Sequence, residues 1–577
     1  MRLDATSMQR RCNSQPPRSA YPAAVLERLR QGLERGVFFA KVLRATKVAA
    51  PLRPTSLAHF LKTARQVKRG PHLAVMFHAA AHPDKEAVVE YGEHGVSRMT
   101  WGELDATINR LCNALHVRGV TGGKRVAIML PNSREYLIAQ QALARLGATA
   151  VQIGYRLKAS EVAYILDNSQ PAATIVHAVY LDTMRDARKL AKRSDEMITV
   201  GGTTSGRDAD EWDRALAASD PAMPPKVSEG DGGGLIVYTS GTTGKPKGAN
   251  RSWKKTGFEA VADMMLQMGV RADDRHLVTC PLYHSAAPAF VAIMMALGAT
   301  IVLQDHFDPE QSLQIIEREQ ITCTLMVPTM LIRIAALPAT TIAKYKTSSL
   351  RWVMSGAAPL SAEAARRFMT GFGAILWNFY GSTETGLVTL AGPGDHVARP
   401  GTIGRALRGN TIRLLDDSGR EVADGEVGEL YARNSTLMSG YHGDEAATAD
   451  ARREGFYSVG DIGRRDADGY YYLESRKHDM VISGGVNIYP REIEDHLSTH
   501  PGILEAAVIG VPDPEWGESL RAFVVLRDGS RLTEREVQDY CREGLADYKR
   551  PRTVTFLGEM PRNPTGKILK RELRELS

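Results

Sequence analysis

Three observations predict an α/β fold of layered, largely parallel sheets with a β-rich subdomain, followed by a small α+β domain. From about residue 95 to 377 helical stretches alternate with short apolar strand-like runs, the grammar of helix-covered parallel sheets. Between 411 and 475 short alternating segments are divided by Asp417-Ser418-Gly419, Asp424-Gly425 and Asp468-Gly469, which predicts hairpins. Finally, 577 residues are too many for one hydrophobic core. The predicted division is a disordered basic tail over 1–20, a basic amphipathic helical extension over 21–73, a large domain over 74–477 and a small one over 478–577.

Residues 1–20 are Arg, Ser, Gln and Pro with few apolar positions, and no apolar run marks a secretory signal. Over 21–49, Leu26, Leu29, Leu33 and Val37 recur at helical spacing among arginines. Residues 1–70 hold 15 Lys/Arg against 3 Asp/Glu, whereas the rest holds 58 against 63, so only this segment is basic. Two readings stay open for it: peripheral contact with an anionic membrane face, or packing on its own enzyme. The body, at a net of −5, gives no reason to invoke a nucleic-acid partner. A helix over 101–117 then precedes a strand over 125–130, and a helix over 134–146 precedes a strand over 149–153. Similar pairs are expected near 256–281, 288–303, 310–327 and 361–377. Residues 286–303 carry no charge, but Gly298 and Thr300 interrupt them, so a buried helix and strand are expected rather than a membrane span. Five scattered cysteines without a CxxC pair fit reduced thiols in the cytoplasm, not a disulfide framework or a zinc site.

The chemistry concentrates in Tyr238-Thr239-Ser240-Gly241-Thr242-Thr243-Gly244-Lys245-Pro246-Lys247-Gly248, preceded by the apolar Gly234-Leu235-Ile236-Val237. A strand feeding a Gly/Thr/Lys loop suits phosphate oxygens, because backbone N–H groups approach closely, hydroxyls donate and lysines add charge. Only two residues separate Gly241 from Gly244, where a Walker A loop has four, so this is not a Walker A loop. A flexible surface loop is the plain alternative. Further along come Gly356-Ala357-Ala358-Pro359, Tyr380-Gly381-Ser382-Thr383-Glu384, Gly455-Phe456-Tyr457-Ser458-Val459-Gly460-Asp461, the run from Ser475 through Gly484-Gly485 to Glu494, and Pro564-Thr565-Gly566-Lys567-Ile568.

In this order, over roughly 75–577, these motifs resemble those of the AMP-forming adenylate synthetases, the superfamily of acyl-CoA synthetases, peptide-synthetase adenylation domains and luciferases. The resemblance implies that the 239–247 loop holds the phosphates of ATP, with Thr239 and Glu384 at Mg²⁺. It implies that Tyr380 lies against adenine, that Thr383 faces the α-phosphate within the motif of Gly381 and Ser382, and that Gly356, Ala357 and Ala358 border adenine and the acyl pocket. Asp461 would accept the ribose hydroxyls and Arg476 would contact ribose and phosphate. Lys567 would be the adenylation lysine, and Gly484 and Gly485 would leave room for the phosphopantetheine arm of coenzyme A. His284 falls near the reacting carboxylate, although a satisfied buried histidine is an equal reading. His478 falls at the interdomain hinge, where relatives carry Asp or Lys. Ser252-Trp253 departs from the Ser/Thr-His pair of relatives, and Trp253 reads as core.

The activity so implied is conversion of a carboxylic acid, through acyl-AMP, to an acyl-CoA thioester. A fatty acid is the expected substrate, because small residues at 356–358 fit an open channel and no charged motif residue suits an amino acid. An enzyme loading acyl groups onto a carrier protein is the first alternative. A catalytically silent lipid-binding or scaffold protein is the second, against which the intact Lys567, Glu384, Asp461 and Arg476 argue.

Overall fold

The computed structural model describes residues 38, 40–42, 44–47, 54–67, 70–92, 95–201, 211–225, 233–239, 246–252, 258–563 and 566–576. Six strands form the parallel heart of the largest sheet. In spatial order they are Glu86–Gly92, Thr300–Gln304, Arg275–Val278, Cys323–Met326, Trp352–Ser355 and Leu376–Ser382. Alternate side chains enter opposite apolar layers. Ile301 and Leu303 join one core cluster, and Val302 joins another with Leu277 and Val353. Burial on both faces is why these strands read as unbroken apolar runs in the sequence.

The expected hairpins are present, with Asp461–Arg465 antiparallel to Tyr471–Arg476 and Thr411–Leu415 antiparallel to Val427–Arg433. They do not form a detached sheet, however. Thr402–Ala406 pairs with Gly386–Ala391 on one side and with Tyr471–Arg476 on the other, which joins them edge-on to the parallel strands. The hairpin of Glu86–Gly92 and Gly95–Thr100 was not anticipated, although Ala87-Val88-Val89 carried its signal.

In the second sheet, Glu196–Val200, Ala173–His177, Arg125–Met129, Thr149–Gln152 and Gly234–Thr239 run parallel, and Lys247–Ser252 returns antiparallel. The crossover helix Arg134–Leu146 starts where the Ser133 hydroxyl accepts from the Tyr136 N–H, and ends at left-handed Gly147. A third sheet, built from Val486–Ile488, Val481–Ser483, Gly517–Leu526, Ile503–Asp513 and Thr553–Phe556, carries the C-terminal residues. Ile493 and Leu497 of helix Pro490–Ser498 and Val537 of helix Glu534–Gly544 seal one of its faces.

The uncharged stretch at 286–303 forms helix Ala286–Leu297 and then strand Thr300–Gln304. Among the described residues no helix is long and apolar enough to cross a membrane. Most of the 21–49 segment lies outside the described residues, but Val42 and Thr46 within it are 3 % and 1 % exposed. The Arg408 guanidinium stacks on the Phe38 ring at 4.5 Å.

Candidate active site

A continuous cleft of about 2420 Å³ runs between the two large sheets and on to the C-terminal residues. Its first wall is the corner after strand Leu376–Ser382. Gly381 is required there, because a Cβ would collide with the Gly386 carbonyl oxygen. The Ser382 hydroxyl accepts from the N–H groups of Glu384 at 3.2 Å and Thr385 at 3.1 Å, which sets the turn. Thr383 is held from two sides. Its carbonyl accepts from the Arg251 guanidinium at 2.6 Å, and its hydroxyl lies 2.9 Å from that of Ser285. Glu384 is buried, and Tyr441 donates its phenol hydrogen to Oε1 at 3.1 Å. Lys247 Nζ sits over the Tyr441 ring at 5.3 Å, so the end of the phosphate loop and the Glu384 corner meet through that ring. Thr239 lines the same cleft, its hydroxyl 3.4 Å from the Lys247 carbonyl.

The opposite wall is electrostatic. Asp461 and Arg476 are ladder partners, so their side chains share one face of the hairpin. Asp461 Oδ1 accepts from Arg476 Nε at 3.1 Å and Oδ2 from the Tyr380 hydroxyl at 2.8 Å. Burial, with the Asp461 charge beside it, holds the Tyr380 phenol well above the usual tyrosine range. Lys567 enters from the C-terminal loop, its N–H bonded to Asn563 Oδ1 at 2.9 Å. Neighbouring Gly566 has a φ of 76°, and a Cβ there would lie 2.5 Å from the Thr329 hydroxyl. The loop thus approaches helix Pro328–Ala335 so closely that a side chain at 566 would have to displace the Thr329 hydroxyl. Desolvation in the cleft pushes the Lys567 amine down to about 8, and the Arg476 cation adds to this. The carboxylates of Asp461, Asp479 and Glu384 oppose it.

Beyond the corner the cleft turns apolar. Ala357 and Ala358 line it, while Gly356 is buried beside Phe379. Ala357 holds a φ of 65°, a left-handed conformation that is uncommon for a residue with a side chain. His284 borders this region with Nε2 buried and unpartnered among the described residues. Burial, then the nearby Arg156 cation, pushes its imidazole down to about 3, so it is neutral near pH 7. Gln152, 2 % exposed, also lines the cleft, and neither atom of its amide has a partner among the described residues.

Gly484 and Gly485 are not brought to the cleft. They form an exposed turn between Val481–Ser483 and Val486–Ile488, leaning on Trp516. Ser240, Gly241, Thr242, Thr243 and Gly244, like Trp253, lie outside the described residues. Two contributors went unread in the sequence. Tyr441 falls in none of the motifs assigned a chemical role, and Arg251 carries no motif. No cluster of three or more His, Cys, Asp or Glu side chains able to hold a metal exists among the described residues. A single buried carboxylate, Glu384, in the cleft that Thr239 also lines suits Mg²⁺, which usually takes one or two carboxylates plus substrate phosphates.

Residues 75–442 match the family model described as AMP-binding enzyme, and residues 492–567 match the AMP-binding enzyme C-terminal domain. The chain is 37 % identical to a feruloyl-CoA synthase of an Amycolatopsis species, over 83 % of this chain and 94 % of that one. It is 35 % identical to a long-chain-fatty-acid–CoA ligase of Mycobacterium tuberculosis, over 83 % and 93 %. The crystal structure of an anthranilate CoA ligase in complex with anthranoyl-AMP superposes with a TM-score of 0.80 at 27 % identity, covering 88 % of this chain and 97 % of that one.

Proposed function

Because the chain belongs to the AMP-binding enzyme family, we propose that it activates a carboxylic acid with ATP and passes the acyl group to coenzyme A. The observation that carries this reading is the convergence of Lys567, Asp461, Arg476 and Glu384 on one cleft that leads into an apolar chamber.

In the first half-reaction a carboxylate oxygen attacks the α-phosphorus of ATP, the bond to the β-phosphate oxygen breaks, and pyrophosphate leaves. Two anions must meet, so the residues' work is positioning and charge screening. Lys567 and Arg476 supply positive charge. Asp461 accepts the ribose hydroxyls, and the Ser285–Thr383 hydroxyl pair borders the α-phosphate. Glu384 and Thr239 would hold Mg²⁺, which neutralises charge on the phosphate oxygens when bound. Neutral His284 orients the acid by hydrogen bonding rather than by taking its proton. In the second half-reaction the thiol sulfur attacks the acyl carbonyl and AMP leaves. For that step the C-terminal domain turns about His478, Lys567 withdraws, and the Gly484-Gly485 turn takes its place.

The acid is apolar. A fatty acid is the first reading, supported by the Ala, Met and Ile lining beyond Ala357. An aryl acid bearing a polar substituent is the second, and Gln152 favours it, because an unpartnered buried amide is costly until a ligand pairs with it. Relatives named for ferulate and for long-chain fatty acids stand at similar identity, so similarity does not choose between them. The test is pyrophosphate release across fatty, hydroxyaryl and short acids, with and without coenzyme A. Release with none of them overturns the proposal. Transfer only to a carrier protein overturns the choice of thiol.

A further inference from the structure

Helix Ala286–Leu297 leads away from the nucleotide corner. Ser285, just before it, touches Thr383, and at about 1.5 Å per residue the far end lies ~16 Å further on. Ala286, Ala289, Ile293 and Ala296 recur along it at helical spacing and line the cleft. Ala289 and Ala296 keep exposed surface although every side chain of this helix is apolar. That surface faces the cavity, so the cavity follows the helix to its end.

What meets it there precedes the family-matched region, which begins at residue 75. Val42 and Thr46 stand one turn apart in a helical stretch, and both line the cavity. Phe38, one turn earlier, packs on the same core. The Thr46 hydroxyl donates to the Val42 carbonyl at 2.8 Å, and the Thr46 carbonyl accepts from the Ala272 N–H at 2.9 Å. The second of these bonds anchors the segment to the body. Pro71 and Leu73 complete the wall, and His78, on the helix that Leu73 belongs to, bonds the Ala296 carbonyl at 3.2 Å.

Resting on the acid-activating reading above, we infer that the segment ahead of the family-matched domain is the end wall of the acyl pocket and sets the longest acid activated. The physical reason is steric, since an acid that fills the chamber must displace packed side chains to grow by one methylene.

The test uses the full chain and straight-chain acids from butanoate to octadecanoate, followed by pyrophosphate release. The quantity read is kcat/KM for the longest acid the natural chain accepts, divided by that for butanoate. Val42→Trp is expected to lower this ratio by about ten-fold or more, and Val42→Ala to raise it and admit a longer acid. Leu73→Trp, from the other side of the wall, replaces Val42→Trp if that chain does not fold. A ratio unmoved by all the variants overturns the inference while the acid-activating reading stands. If the natural chain releases pyrophosphate with none of the fatty, hydroxyaryl or short acids, that reading is struck first, and the inference falls with it.

Discussion

Lys567 stands where three carboxylates and one guanidinium meet, and the loss of hydration there outweighs the carboxylates. Its amine is pushed down to about 8, so it is charged near neutral pH and loses its proton as the pH rises through that value. If the charge serves adenylation, kcat/KM for acyl-AMP formation should be flat below about pH 8 and fall above it, since this parameter reports the free enzyme. Lys567→Arg should remove the alkaline limb, because guanidinium does not titrate in that range. Lys567→Ala should cost the first half-reaction on the order of a hundred-fold or more, the scale of one lost electrostatic contact. Thioester formation from supplied acyl-AMP should survive, and equal loss in both halves would defeat this division of labour. Asp461 invites a second test. Asp461→Ala leaves Arg476 without its partner and removes the proposed acceptor for ribose, so the KM for ATP should rise about ten-fold or more. Tyr380→Phe should move it far less, since it removes one donor to a carboxylate that keeps another. Lys567, Asp461 and Arg476 were legible as sequence because each sits inside a recognisable run. Tyr441 and Arg251 were not, because their contacts to Glu384 and Thr383 join positions 57 and 132 residues apart.

At the scale of elements, the hinge assignment rests on the short turn 477–479 between strand Tyr471–Arg476 and strand Val481–Ser483. The Asp479 and Met480 N–H groups both return to the Arg476 carbonyl, so the turn is tied at its start. Proline at 478 fixes φ near −65° and restricts Lys477 as well. His478→Pro is therefore expected to make acyl-AMP in a single turnover but to transfer it poorly to coenzyme A. His478→Ala should be mild in both steps. Equal damage from the two in thioester formation would show that the imidazole itself acts, and an unaffected His478→Pro would put the pivot elsewhere. Most helices and strands of the large region were readable, because buried parallel strands and one-sided helices impose different apolar periods. The joining of the 411–475 hairpins to the main sheet was not readable, because strand pairing between distant segments leaves no local period.

At the scale of the whole molecule, the Lys567 loop is pressed against helix Pro328–Ala335 at Gly566 and Thr329. A Cβ at 566 would stand 3.7 Å from the Thr329 Cβ, within the span of a disulfide. The double variant Thr329→Cys, Gly566→Cys, once oxidised, should hold Lys567 in the cleft. It is expected to keep acyl-AMP formation and to lose thioester formation until reduced. Undiminished thioester formation in the oxidised form would show that this contact need not break during the cycle. The natural cysteines at 112, 280, 323 and 541 are buried and free, which keeps them out of the engineered pair.

The sequence by itself determined the α/β class, the order of the motifs and the family, because periodicity and contiguous loops are local properties written in consecutive residues. Only the tertiary structure decided which motifs share the cleft. It brings Lys567 to Asp461 and leaves Gly484 and Gly485 outside. It also made Val42 and Thr46, inside the basic 21–49 segment, into buried wall beside helix Ala286–Leu297. Which surface covers an amphipathic face depends on what the rest of the chain leaves uncovered. That is a property of the folded whole and not of any run of neighbours.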